Sequence, residues 1–431
     1  MRWAGRGPAV SGQVTDDVAA VFRTEYGRAV ATLVRLLGDI GLAEEAVQDA
    51  FVVAVQTWDV PPPNPGGWIV TTARRRAIDR FRRESTREER HAMAALLATP
   101  DEPLEVGAVR DDQLRLLFTC CHPALSTEAQ VALTLRLLGG LETTQVARAF
   151  LVPEATMAQR IVRAKRKIRD ARIPYRVPTE AELPDRLRGV LAVVYLVYTA
   201  GHSSSGPALV DASLCQEAVR LACVLARLMP DEPEVLGLLA LLLLLQSRAG
   251  ARTAADGSLV PLEEQDRARW DPALVAEGQA LVRQLLRRGQ PGPYQVQAAI
   301  QAVHADGVTD WAQVLALYDL LLSLQPSPVV ALNRAVALAK VAGPAAALKV
   351  VEGLALEAYQ PFHVVRAELL SQLGRAGEAR QAYGRALAVT TNPVERAFLE
   401  KPAVRSSRPH DRWPHWDGIG VEGATDADRA A

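Results

Sequence analysis

The chain has 431 residues, 49% of them hydrophobic and 23% charged, and its 49 basic side chains balance 49 acidic ones. That composition supplies a sizeable core and excludes global disorder; at roughly 150 residues per domain the length predicts two to three domains. The longest apolar run, Val235 to Leu245, is too short to span a bilayer, no secretory signal precedes the first helix, and four cysteines make no disulfide framework. A cytoplasmic protein without membrane contact is therefore expected.

In chain order, residues 1–17 are expected to be disordered. Phe22, Tyr26, Val30, Leu33 and Leu37 then recur at helical spacing, and Gly38 to Gly41 breaks the run. A second helix places Val47, Ala50, Phe51, Ala54 and Trp58 on one face. Asp59 to Gly67 holds four prolines and two glycines and reads as a loop. The third helix begins near Trp68, with Val70, Ala77, Ile78 and Phe81 as its apolar set. Arg76, Arg80, Arg83 and Arg87 recur every three to four residues, one stripe on a helix.

Residues 89–108 lose periodicity and read as a linker. Helices resume at 109–173. There Glu142 to Phe150 is a short helix, Leu151 to Pro153 a turn, and Glu154 to Asp170 a longer helix whose buried stripe is Met157, Ile161, Ala164 and Ile168. Thr156, Gln159, Arg160, Arg163 and Lys167 fall on the other side. A short helix, a tight turn and a second helix with a basic outer face form the helix-turn-helix pattern. Ile173 to Pro184 carries three prolines and marks a boundary.

Beyond it Leu and Ala dominate. Residues 185–300 read as a helical extension. In 301–400, prolines 326, 361 and 393 punctuate similar blocks, such as Ala346-Ala-Leu and Arg366-Ala-Glu-Leu-Leu before Gly374, Ala379, Tyr383 and Ala386. A period near 34 with small residues at fixed positions is tetratricopeptide-like, and such helix pairs must stack to bury their apolar faces. Residues 401–431 form a polar tail. The fold class read from the residues is all-α.

Charge is clustered despite the zero balance. Arg160 to Arg176 holds eight basic residues and one acid, and Arg74 to Arg90 eight arginines and four acids. Two basic patches on a neutral chain point to a focused polyanion contact; the alternative is two solvated helix faces. On the Glu154 helix, Thr156, Gln159 and Arg160 are the candidates for base edges in a major groove. Arg163, Arg166 and Lys167 are the candidates for phosphates, which position without reading. Beside the Arg76 stripe, Trp68 and Phe81 either stack on unpaired bases or sit in the core.

Glu44-Glu-Ala-Val-Gln-Asp-Ala-Phe51, Gly67-Trp-Ile and Ala73-Arg-Arg-Arg-Ala-Ile-Asp-Arg-Phe-Arg-Arg83 resemble region two of bacterial sigma factors of the extracytoplasmic-function (ECF) type, placed at 18–88. Residues 109–173 resemble region four. Phe118-Thr-Cys-Cys-His-Pro-Ala-Leu125, Pro153-Glu-Ala-Thr-Met-Ala-Gln-Arg160, Asp231-Glu-Pro-Glu-Val-Leu-Gly-Leu238 and Gln265-Asp-Arg-Ala-Arg-Trp270 resemble the subgroup with a tetratricopeptide-like C-terminal extension. The resemblance implies two small helical sigma domains followed by helical repeats, no enzyme activity, and core RNA polymerase (beta-prime clamp helices and beta flap) and promoter DNA as partners. It implies that Glu45, Gln48 and Asp49 face polymerase, that Trp68, Arg75, Arg76, Arg80 and Arg83 serve the minus-ten element, and that region four reads the minus-thirty-five duplex. Arg75 stands where this family often has Asn, and Thr199-Ala-Gly-His202 where the subgroup often has Asn-Glu-Gly-Tyr. The repeats are expected to take a protein partner or to regulate the sigma domains. The alternative is a helix-turn-helix regulator with a sensory repeat domain that never joins polymerase.

Cys120, Cys121 and His122 lack the spacing of a structural zinc site and read as small buried residues with a histidine at a helix end. No phosphate loop, nucleophile motif or carboxylate pair stands out, so neither metal nor cofactor is expected. His202 with Ser203 to Ser205 reads as a loop. Asp101, Glu102 and Glu105 give the linker an acidic stretch suited to the basic RNA exit path of a polymerase.

Overall fold

The computed structural model describes the backbone of residues 12–84, 106–150, 152–202, 209–390 and 392–400, and the side chains of these except 12–17, 23, 81–84, 106–111, 148 and 149. Among the described residues no strand occurs, apart from one isolated bridge between Thr253 and Leu259. Contacts divide the chain into two units at Val193 and Val194.

The first unit opens with α1 (Gly12–Leu37), α2 (Ile40–Thr57) and α3 (Pro65–Glu84). Helix α1 thus starts inside the stretch expected to be disordered. Gly38, at φ +71°, ends α1, and the Asp39 carboxylate caps α2 by accepting from the Leu42 amide at 2.8 Å. Asn64 accepts from the Gly67 amide at 2.9 Å and starts α3 earlier than the sequence suggested. The three helices pack on one another over Val30, Leu33, Val47, Phe51, Ile69 and Ala73, all buried. Phe51 is a core residue, its ring edge-on to Phe22 at 4.8 Å.

Four helices follow: α4 (Val106–Cys120), α5 (Thr127–Leu137), α6 (Thr143–Ala149) and α7 (Glu154–Asp170). Helix α7 has the limits that its periodicity predicts, and Met157, Ile161, Ala164 and Ile168 are its buried residues. Helix α4 also packs along α1, so the two helical groups form one unit. The division at Val193 falls inside α8 (Leu183–His202), after the proline-rich segment at 173–184. Within that segment the Tyr175 hydroxyl donates to the Ala31 carbonyl at 2.7 Å, and just beyond it, in α8, Arg186 donates to the Phe118 carbonyl. His202 is the buried last residue of α8, stacked on Tyr198, and not part of a loop.

The second unit contains α9 (Ala212–Leu228), α10 (Pro233–Ser247), α11 (Pro272–Arg288), α12 (Pro293–Ala305), α13 (Trp311–Leu324), α14 (Pro328–Ala342), α15 (Pro344–Val351), α16 (Gln360–Gln372), α17 (Ala376–Val389) and α18 (Pro393–Glu400). Helix α10 is apolar on all sides because α9, α11 and α12 cover it. With the turn that follows, it reaches from Pro233 to Ala251, long and apolar enough to cross a membrane; 78% of that window is buried inside the protein, as in a core helix. Helices α14 to α17 share one core of Leu332, Ala335, Leu348, Val364, Leu369, Ala382, Tyr383 and Ala386. The small residues of the repeat pattern lie at these helix contacts. Residues 401–431, with the expected polar tail, and the acidic stretch at 101–105 lie outside the described residues.

On α18 burial pushes the Glu395 carboxyl from 4.5 up to about 7, with Arg252 acting in the opposite direction. The folded chain therefore holds that proton more tightly than the unfolded chain, and stability falls as pH rises from about 4.3 towards 7. Glu395→Gln is expected to raise the melting temperature at pH 8 relative to the wild type and to leave it nearly unchanged at pH 4, measured by circular dichroism melts.

Candidate nucleic-acid and polymerase interfaces

Helix α7 separates its two faces cleanly. Thr156, Gln159, Arg163, Arg166 and Lys167 are exposed, and Arg160 is half-buried. Pro153 lacks a side-chain cap, but its carbonyl accepts from the Thr156 and Met157 amides. Glu154 in the first turn and Lys167 and Arg169 in the last suit the helix dipole. The outer face is thus a rigid row of polar and cationic side chains on a helix held by its apolar stripe.

The second basic surface is on α3. Arg75 and Arg76 are exposed and Arg80 is half-buried. Arg83 lies on the same helix by its backbone, with its side chain outside the described residues, as is Arg87 entirely. Trp68 is half-buried and its ring stands edge-on to the buried Trp58 at 5.0 Å. Trp68 is thus packed in part against the core through Trp58.

Helix α2 presents Glu45 and Asp49 to solvent. Glu45 pairs with Arg80 at 2.5 Å. A polymerase candidate and a minus-ten candidate therefore meet in one ion pair, exposed enough to add little stability. Gln48 departs from expectation: it is half-buried and donates to Glu44 at 3.3 Å.

Glu44 was not singled out by the sequence reading. Its side chain is 5% exposed and accepts from Arg136 of α5 at 2.5 Å and from Lys165 of α7. Asp112 of α4, 1% exposed, pairs with Arg35 of α1 at 2.8 Å and with Arg115 at 3.4 Å. Of this network, Glu44 and Lys165 were legible in part: Glu44 precedes Val47 and Phe51 by three and seven residues, and Lys165 follows Ile161 by four, so each lies at a buried-face position.

Cys120 and Cys121 end α4 as buried residues. Burial pushes both thiols up, that of Cys121 to about 12, which keeps them protonated and poorly nucleophilic. His122 is held below its ordinary value by burial and by Arg186, and its Nδ1 accepts from the Ala124 amide at 3.1 Å.

With this geometry in place, comparison with known proteins gives three family matches in chain order. The profile of Sigma-70 region 2 matches residues 21–87, that of Sigma-70, region 4 matches 115–168, and a family of unknown function (DUF6596) matches 186–286. The first two coincide with α1–α3 and α4–α7. The ECF RNA polymerase sigma factor SigK of Mycolicibacterium vanbaalenii is 30% identical over 158 residues, 35% of this chain and 80% of its own length. The chain belongs to the ECF-type sigma factors. An uncharacterized protein of Rhizobium meliloti is 46% identical over 388 residues, 86% of this chain and 92% of its own length. The probable ECF RNA polymerase sigma factor SigI of Mycobacterium tuberculosis is 30% identical over 165 residues, 37% of this chain and 56% of its own length. No solved structure matches the chain. Helices α1–α3 are hereafter region two, and α4–α7 region four.

Two substitutions on α7 separate reading from holding. Gln159→Ala is expected to cost about 1–3 kcal/mol confined to one base position of the bound duplex. Arg163→Ala is expected to weaken all duplexes alike and to lower the slope of log affinity against log salt by about 0.9. Anisotropy titrations between roughly 50 and 200 mM salt check both.

Proposed function

We propose that this sigma factor joins core RNA polymerase through the beta-prime clamp helices and the beta flap, reads a minus-thirty-five duplex with α7 and opens a minus-ten element with α3. The observation that carries this reading is the pair of exposed cationic helix faces, one on each sigma region: Arg75 and Arg76 on α3, and Arg163, Arg166 and Lys167 on α7. Thr156, Gln159 and Arg160 are the base readers. Arg163, Arg166 and Lys167 neutralise phosphates and fix the register. Strand opening needs a stacking surface for an unpaired base and cations for the displaced strand; Trp68 supplies the first, and Arg75, Arg76, Arg80 and Arg83 the second. Glu45 and Asp49 are the exposed acids for the polymerase contact. A regulator that never joined polymerase would have no use for region two, so the sigma reading is preferred. The setting is cytoplasmic, where polymerase works.

The helices of the second unit act as a covalently attached regulatory domain. Their paired packing in α14–α17 supports a tetratricopeptide-like reading, and stacked pairs expose a continuous surface for a protein partner.

The test is in vitro transcription with purified core RNA polymerase on a promoter library. The expected outcome is a set of start sites that share two motifs, lost on Arg75→Ala/Arg76→Ala with binding to polymerase retained. A chain that directs polymerase to no start site rejects the reading. Removal of residues 209–431, which spares α8, is expected to change transcript yield on the same promoters without changing the motifs.

A further inference from the structure

The second unit carries a long irregular connection. Residues 248–271 join α10 to α11 and hold short 3-10 turns but no α-helix. Connections beyond about 12–15 residues are uncommon in compact domains and usually functional. This one bonds its backbone to itself. The Val260 amide donates to Arg252 at 2.8 Å, the Ala254 amide to Ser258 at 2.9 Å and the Glu264 amide to Pro261 at 2.9 Å. Gly257, at φ +80°, turns the small loop between Thr253 and Leu259. Pro261 and Gln265 are buried.

From α10 the connection reaches helices far along the chain. Glu263 pairs with Lys340 of α14 at 2.9 Å. The Lys340 ammonium lies over the ring of Trp311 of α13, 5.6 Å from its centroid, and the aromatic face helps to hold it. Burial pushes the Glu368 carboxyl of α16 up against the bonds from Tyr383 and Gln372, and Lys340 and Glu263 act on it in opposite directions; the three charged groups lie together. Arg252 donates to the His202 carbonyl at 2.6 Å and acts on Glu395 of α18. The tie to α14 is a side-chain ion pair, 20% exposed at Lys340 and 27% at Glu263, and pairs open to water add little stability. Gln265, 8% exposed, donates through Nε2 to the Val260 carbonyl at 3.2 Å, while its buried Oε1 finds no hydrogen bond. An unmade bond of this kind penalises the docked state. The segment is thus an occupant whose departure leaves the hydrogen bonds inside the helices intact.

We propose that Lys340, seated on Trp311, is a carboxylate-recognition site of the C-terminal helices, that the chain's own segment 258–266 occupies it through Glu263, and that an acidic segment of a partner protein takes the site by displacing this occupant. The displacement step rests on the reading of the second unit as a domain for a protein partner; the site and its occupant do not. The occupant gives the chemistry of that partner. Ser258-Leu-Val-Pro-Leu-Glu-Glu-Gln-Asp266 is an apolar run with a proline, followed by acids, and a competing segment must offer the same order.

The experiment uses the full chain, with a fluorescein-labelled peptide of residues 258–266 as the probe and anisotropy as the readout. A variant whose own residues 258–266 are replaced by an equal length of Gly-Ser is expected to bind the peptide. The wild type is expected to bind it about tenfold more weakly, and Lys340→Gln in the replaced background to lose the same factor. A replaced variant that keeps its helicity by circular dichroism and binds no peptide, or binds it equally with Lys340→Gln, overturns the site. If the replaced variant loses helicity, trypsin cleavage after the exposed Arg267 and Arg269 decides in its place. Glu263→Gln and Lys340→Gln, each a single change in the intact chain, are expected to speed these cuts severalfold, because cleavage follows the population of the undocked form; unchanged rates overturn the occupant. Excess unlabelled peptide, which holds no lysine or arginine, is expected to speed the same cuts in the wild type, and rates unmoved by it overturn the displacement step. A peptide that binds through Lys340 in a chain that directs polymerase to no start site keeps this site and rejects the sigma reading.

Discussion

A buried carboxylate that must find cations governs the sigma half of this protein. Glu44 lies on the inner face of α2, where water cannot solvate it, and Arg136 and Lys165 reach it from α5 and α7. Burying an isolated charge is far more costly than any single packing contact is favourable, so the helices that bring these cations are tied to α2. Asp112 imposes the same condition from the other side through Arg35. The two regions matched by separate families are thus held within one unit.

Helix α7 divides its basic residues between two tasks. Lys165 faces inward and serves Glu44, whereas Arg163, Arg166 and Lys167 face solvent. Composition alone counts these cations together. Their separation by 100° per residue around the helix turns one side to the protein and the other to solvent. Helix α3 shows a related division, with Arg80 committed in part to Glu45 while Arg75 and Arg76 stay exposed.

The C-terminal unit follows a different rule. Its helices are joined by small-residue contacts and apolar packing, with Ala335, Ala347, Ala379, Ala382 and Ala386 at the interfaces. One buried polar pair there joins α16 to α17: the Tyr383 hydroxyl donates to Glu368 at 2.9 Å.

The sequence by itself determined the helices, their buried stripes and the two basic faces. Those features depend on residues three or four positions apart, and local spacing encodes them: Met157, Ile161, Ala164 and Ile168 are buried as their periodicity requires. It also carried the sigma resemblance, because region two and region four are contiguous strings. Only the tertiary structure decided which charges serve the protein itself. Glu44 and Lys165 are 121 residues apart and Tyr175 and Ala31 are 144 apart, separations at which no periodicity links one residue to another. The same holds for Gln48, exposed by helical spacing but drawn inward by Glu44, and for Tyr175, whose bond to Ala31 the prolines around it do not announce. A helix face is a local property of the chain; the partner that covers it is chosen by the whole fold.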